Sequence, residues 1–106
     1  TLRRRTMDKI DALTKNLLYE KVAVIHAAYE DAPSTVALVE VEKKLTDTEK
    51  LETAFMKTNT IEEGWWNNEG VTKMFGGGAC RSTSVGDMVL IGTTKYKCEP
   101  TGWSVV

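Results

Sequence analysis

The side chains best suited to covalent chemistry are two cysteines, Cys80 and Cys98, and a single histidine, His26. A cysteine nucleophile needs a base within hydrogen-bonding distance, and histidine is the usual one. His26 follows the apolar run Val22–Ile25, a position more typical of a partly buried structural histidine. A pair between His26 and either cysteine stays open as an alternative, but the sequence favours a protein that is not an enzyme.

The sequence predicts neither a metal site nor a cofactor. The two cysteines are too far apart for a zinc-binding pair, and one histidine cannot complete the usual set of four ligands. Three glycines, Gly76–Gly78, precede Arg81 and superficially resemble a phosphate-binding loop. That loop requires Gly and Lys where Arg81 and Ser82 stand, so we interpret the stretch as a turn before a strand.

Two adjacent tryptophans, Trp65 and Trp66, are the first candidates for a binding surface. In an extended chain, neighbouring side chains point in opposite directions. We therefore expect one ring to pack inward and the other to lie at the surface or in an interface, where tryptophan is enriched. A second interpretation is that both close the core beneath the glycine-rich loop. A third is that they stack on nucleobases beside Arg81, Lys95 and Lys97.

The segment from Arg81 to Asp87 is the second candidate. Its hydroxyl side chains can bond neighbouring backbone amides, as in many turns. We expect Arg81 to pair with Asp87 across this turn, which is a structural role. The alternative is an anion site, for phosphate or a carboxylate, formed by Arg81, Ser82 and Ser84.

Composition indicates a single domain over residues 1–106. Hydrophobic residues make up 42% and charged residues 27%, as in ordinary globular proteins. Apolar runs are no longer than four residues, as at Val22–Ile25, which is too short to span a membrane, and no signal peptide is visible. We therefore expect a cytoplasmic protein whose cysteines are free thiols, with a Cys80–Cys98 disulfide as the alternative. Residues 1–6 are interpreted as a flexible leader or an upstream remnant before Met7.

Hydrophobic periodicity predicts an α+β fold with a mainly antiparallel sheet and two amphipathic helices. The sheet is built from a hairpin and a C-terminal meander of three strands. A capping-box pattern at Thr46–Glu49 opens the second helix. The predicted helices cover residues 6–18 and 46–58, and the predicted strands cover residues 22–26, 35–42, 88–91, 95–98 and 103–106. The Gly- and Asn-rich stretch 64–78 is predicted to be a loop.

The C-terminal half carries a recognisable pattern. It consists of Asn59, Ile61, Trp65, the motif Arg81–Asp87, the strand Met88–Ile91, Tyr96 and Gly102-Trp103. Over residues 35–106 this pattern resembles a diffuse group of small uncharacterised proteins of tailed bacteriophages, including cyanophage-like ones. Members of the group have no assigned activity, so the resemblance transfers no site residue. Trp103 stands where the group usually has phenylalanine, and the glycine-rich loop is short.

These observations favour a phage-type accessory protein that is not an enzyme and binds a protein partner or itself. It would act in the cytoplasm of an infected bacterium. The alternative is a module that binds single-stranded nucleic acid or RNA. The net charge of −1 disfavours that alternative, because backbone binding depends on cationic side chains.

Overall fold

One antiparallel sheet organises most of the chain. The computed structural model describes residues 16–60 and 64–106. The elements are β1 (Tyr19–His26), β2 (Ser34–Glu42), α1 (Asp47–Lys57), a 3-10 turn (Trp65–Asn67), β3 (Val71–Lys73), β4 (Met88–Ile91), β5 (Thr94–Glu99) and β6 (Gly102–Val105). The strand order is β3-β2-β1-β4-β5-β6, and neighbouring strands are antiparallel. The predicted α+β class with a mainly antiparallel sheet is confirmed.

The first predicted helix lies mostly outside the described residues. Only Asn16–Leu18 fall within them, and these three residues are helical. The leader at residues 1–6 and Met7 also lie outside.

The helix α1 begins and ends close to its predicted limits. The Thr46 hydroxyl accepts a hydrogen bond from the Glu49 backbone, and the Glu49 carboxylate accepts one from the Thr46 backbone. This reciprocal pair satisfies amides that have no partner within the helix. Lys50 is only 7% exposed, and its ammonium lies 3.2 Å from Glu20 of β1. The helix is therefore fixed to the sheet by an ion pair as well as by apolar contacts.

The stretch 64–78, predicted to be a loop, contains two short elements. Trp65–Asn67 form the 3-10 turn, and Val71–Lys73 form the edge strand β3. The strand pairs with Ala37–Val39 of β2. Three residues alone have little intrinsic preference for the strand conformation. Residues 71–73 form a strand because β2 provides their hydrogen-bonding partners, which the local sequence does not show.

Alternation along the strands gives the sheet a covered face. Val22 lies opposite Val39, and Val24 lies between Ala37 and Val89 on the neighbouring strands. These side chains belong to the buried core cluster with Leu51 and Ala54 of α1 and with Trp65. An edge contact between Phe55 of α1 and Trp103 of β6, with centroids 6.3 Å apart, extends the same layer. The helix and the 3-10 turn therefore both lie on the covered face.

The other side of the sheet, which we call the open face, also carries apolar side chains. It is defined by Ala23, Ile25, Leu38, Met88 and Leu90. Ala23 lies between Leu38 and Leu90, while Ile25 lies opposite Met88. Because strand neighbours alternate, these positions point away from the cluster of Val22, Val24 and Val89. None of the five belongs to the core cluster, and neither α1 nor the 3-10 turn lies over them.

Candidate functional site

The Arg81–Asp87 turn is built around a buried carboxylate. The side chain of Asp87 is fully buried. Its oxygens accept hydrogen bonds from the backbone amides of Ala27 at 2.9 Å, Ala28 at 3.0 Å and Ser84 at 2.8 Å. Asp87 therefore joins the chain leaving β1 to the turn that enters β4.

Arg81 completes this network. Its guanidinium donates to both Asp87 oxygens at 2.7 Å, to the Glu30 carboxylate at 2.7 and 3.0 Å, and to the Ser82 carbonyl at 3.0 Å. These bonds use all five N–H donors of an arginine side chain. The exposed ring of Tyr29 lies 4.9 Å from the guanidinium carbon, within range of a cation–π contact.

The charges in this network stabilise one another. Burial alone would raise the pKa of Asp87, but hydrogen bonds from Arg81 and the backbone amides lower that pKa to about 2. Hydrogen bonds to Asp87 and Glu30 raise the pKa of Arg81. Arg81 remains cationic with two carboxylates beside it. An anion binding here would have to displace one of them, so the geometry favours the structural role of the turn.

The two serines take part in the turn locally. The Ser84 hydroxyl donates to the Ser82 carbonyl at 3.3 Å, and both residues are partly buried. Their hydroxyls are not among the contacts of the Arg81 guanidinium, which reaches the backbone carbonyl of Ser82 instead. The turn is therefore held mainly by Arg81, Asp87 and backbone groups.

The tryptophan pair lies on the covered face. Trp65 is 1% exposed, and its indole N–H donates to the carbonyls of Cys80 at 3.2 Å and Arg81 at 2.9 Å. Trp66 is partly buried and meets Trp65 edge-on at 5.6 Å and Phe75 at 5.4 Å. Trp65 is a core residue that also positions the loop before Arg81, and Trp66 packs on the core rather than standing free.

The lysines proposed to act with these rings are on the other side of the sheet. Tyr96 and Cys98 of β5 pack toward the covered face. Lys95 and Lys97 alternate with them along the strand and therefore point to the open face. The structure therefore does not bring together the aromatic and cationic groups of a stacking site.

The structure does bring His26 to Cys80. The Cys80 sulfur lies 3.6 Å from His26 Nδ1, and His26 Nε2 lies 3.0 Å from the Thr83 hydroxyl and 3.9 Å from Asp87 Oδ2. His26 is 1% exposed, whereas Cys80 is partly exposed. Burial lowers the pKa of His26 and raises the pKa of Cys80. Both cysteines are free thiols, and Cys98 is buried away from this group.

Within the part of the chain that the structure describes, no group of three or more His, Cys, Asp or Glu side chains could hold a metal ion. No described helix is both long and apolar enough to cross a membrane.

Comparison with known proteins gives no assignment. No family model, no curated protein and no solved structure matches the chain.

Sequence reasoning missed one feature and gave little weight to another. The open face escaped notice because two of its five residues belong to the short strand β4, whose pairing was unknown. The Cys80–His26 contact was considered only as one alternative, since 53 intervening residues give no local signal that these side chains meet. The Arg81–Asp87 pair was expected, because its partners are separated by a single turn.

Proposed function

We propose that the chain is a protein-binding module that holds a partly apolar, acidic segment of another protein on the open face. The observation that carries the proposal is an apolar patch bordered by cations that have no carboxylate partner among the described residues. At the other two candidate surfaces, the side chains of Trp65 and Arg81 bond to groups within the protein.

The apolar part of the open face is continuous across three strands. Leu38, Ala23 and Leu90 follow one another from β2 through β1 to β4, with Ile25 and Met88 beside them. Four of the five side chains are only partly buried, and Ile25 is buried without belonging to the core cluster. A partner that removes the accessible part of this patch from water gains about 25 cal/mol per Å² of apolar surface. Contiguous apolar patches that solvent can reach favour interaction with a partner.

The cationic part follows one side of the patch. Lys97 lies opposite Met88, and Lys95 lies opposite Leu90. Both are exposed, and none of the ion pairs within residues 16–60 and 64–106 includes either one. Lys21 of β1 differs from these two lysines, because it lies opposite Glu40 of β2 and its charge therefore has a neighbour of opposite sign. Charge complementarity therefore favours a partner whose apolar segment is flanked by Asp or Glu on the β5 side.

The resemblance to small tailed-phage proteins supports an accessory role in the cytoplasm of an infected bacterium, with a host or phage protein as the partner. A nucleic acid is disfavoured as the occupant, because the patch is aliphatic and offers no ring for base stacking.

The experiment is a selection of short random peptides against the immobilised full-length chain, followed by titration of the enriched peptides. We expect the enriched peptides to combine aliphatic residues with Asp or Glu. Leu90→Asn should weaken their binding about tenfold or more, which corresponds to ~1.4 kcal/mol. Lys95→Gln combined with Lys97→Gln should weaken binding and reduce its salt dependence, because these lysines meet the acidic residues.

The matched control is Lys44→Gln. This substitution removes one positive charge, against two in the double variant, from a side chain that is 81% exposed in the turn after β2. Enriched peptides without acidic residues, or peptides whose affinity is unchanged by all the open-face substitutions, would contradict the proposal. Tight binding of labelled single-stranded oligonucleotides that depends on Lys95 and Lys97 would replace it with the nucleic-acid alternative.

A further inference from the structure

Cys80 and His26 have the arrangement of a nucleophile and its base. The sulfur lies 3.6 Å from Nδ1, within reach of a sulfur hydrogen bond. With Nδ1 as the acceptor, Nε2 carries the hydrogen and donates to the Thr83 hydroxyl at 3.0 Å. The Thr83 hydroxyl therefore orients the imidazole from the side opposite Cys80. Sites that combine a nucleophile and a base commonly contain such a third group, which orients the base. Burial and the Trp65 ring, 6.3 Å from the imidazole, hold it in place.

We propose that Cys80 is a site of covalent acylation, at which His26 accepts the thiol proton as the sulfur attacks an activated acyl compound, a thioester or an ester. This site lies on the covered side of the sheet. It is independent of the open face and of the partner proposed to bind there.

Cys80 lies at the border between the core and an exposed loop. Cys80 is partly exposed and follows the exposed segment Gly76–Ala79. A methyl group added at Gly76, Gly77 or Gly78 would meet nothing within 4 Å, so the space around this loop is open. Within residues 16–60 and 64–106, the backbone N–H groups of residues 78–80 donate none of the hydrogen bonds. Backbone N–H groups close to a nucleophile can stabilise a negatively charged oxygen that develops at the acyl carbon.

The protonation states suit a neutral pair that transfers its proton during the reaction. Burial lowers the pKa of His26; Asp87 and Glu30 oppose this shift, and Arg81 reinforces it. The imidazole is therefore a free base at neutral pH. Burial also raises the pKa of Cys80, so its thiol remains protonated until a base removes the proton. When the imidazole becomes cationic, the Asp87 carboxylate at 3.9 Å stabilises that charge.

The step is balanced without a further reactant. The sulfur of Cys80 forms a bond to the acyl carbon while its proton passes to His26 Nδ1. The tetrahedral intermediate then expels the thiolate or alkoxide of the acyl donor, which takes the proton from His26. The products are a thioester on Cys80 and a free thiol or alcohol, with His26 neutral again.

The test exposes the full chain to a p-nitrophenyl ester and to a small acyl thioester, and follows acylation by intact mass and peptide mapping. We expect Cys80 to be acylated, while Cys98, which is 6% exposed, stays unmodified and serves as the internal control. His26→Gln, which keeps a polar side chain at this position, should slow acylation of Cys80 by about a hundredfold. Circular dichroism checks that the variant is folded.

The pH profile of the unaltered protein provides a second readout that needs no variant. With His26 as the base, the rate of Cys80 acylation should be nearly constant from about pH 6.5 to 8 and fall only below the ordinary histidine range. A thiol that reacts alone would instead react about ten times faster for each unit of pH in that interval. A tenfold slope of that kind, or equal rates in the protein and its His26→Gln variant, would overturn the proposal. So would acylation of both cysteines to the same extent.

Discussion

Asp87 connects two parts of the chain through a single side chain. Its buried carboxylate accepts from Ala27 and Ala28 beyond β1, from Ser84 in the turn, and from Arg81. Replacing one partner of a buried ion pair leaves the other partners without an acceptor, which is more damaging than losing an exposed pair. The role of this turn is therefore best tested by unfolding experiments.

We expect Asp87→Asn to lower the free energy of unfolding at pH 7 by about 3 kcal/mol. The pKa of Asp87 is lowered to about 2 in the folded protein, so its contribution is complete above the unfolded pKa, near 4, and is lost as the pH falls toward 2. The difference between the two proteins should shrink over that interval, as measured by denaturant titration. Glu30→Gln removes the second carboxylate that pairs with Arg81, on a side chain that is 30% exposed, and should cost less than about 1 kcal/mol. Equal losses for both variants at all pH values would contradict this account.

Among the elements, α1 has a complete N-terminal cap. Its first turn contains Asp47 and Glu49, which are favourable at a helix N-terminus, and Thr46 provides the capping hydroxyl. The helix then covers β2 and β4 through Leu51 and Ala54. The cap determines where the helix begins and therefore which side chains face the sheet.

We expect Thr46→Ala to lower the free energy of unfolding by about 1 kcal/mol, because the amide of Glu49 loses its acceptor. Thr46→Ser keeps a hydroxyl in the same place and should be nearly neutral. Thermal unfolding followed by circular dichroism at the helix band distinguishes the two variants. An alanine variant as stable as the serine variant would show that the cap contributes nothing.

At the scale of the whole sheet, the core cluster of the described residues lies on one side. The covered face gathers α1, the tryptophan pair and the Arg81 turn, while the open face has no layer built from α1 or the 3-10 turn. A domain of this size has a net stability of only about 5–15 kcal/mol. Loss of one large core side chain should therefore remove a large fraction of the free energy of unfolding. Loss of a peripheral side chain should remove much less.

We expect Trp65→Ala to destabilise the protein by about 3–5 kcal/mol, because it removes a fully buried ring and its two hydrogen bonds. Trp66→Ala should cost roughly half as much, since that ring is partly exposed. Chemical denaturation followed by far-ultraviolet circular dichroism measures both. Neither substitution should change the affinity of peptides for the open face, provided that the protein stays folded. A specific loss of binding by a folded Trp66→Ala variant would relocate the interface to the covered face.

Much of the fold could be predicted from short-range patterns. The capping box at Thr46–Glu49 and the alternation of Val39 and Val41 with Glu40 and Glu42 each depend on residues that are neighbours in sequence. The expected Arg81–Asp87 pair is of the same kind, because a single turn brings its partners together. Strand β3 was missed, since three residues become a strand only when β2 offers them hydrogen-bonding partners.

The sequence by itself determined the α+β class, the start of α1 and the polar turn before β4, because local backbone preferences and side-chain periodicity decide these features. Only the tertiary structure decided which side of the sheet α1 covers, and therefore which apolar residues are left beside Lys95 and Lys97. It also decided that His26 meets Cys80. Contacts of this kind depend on strand register and on packing between distant segments, and neither is encoded in the spacing of the residues along the chain.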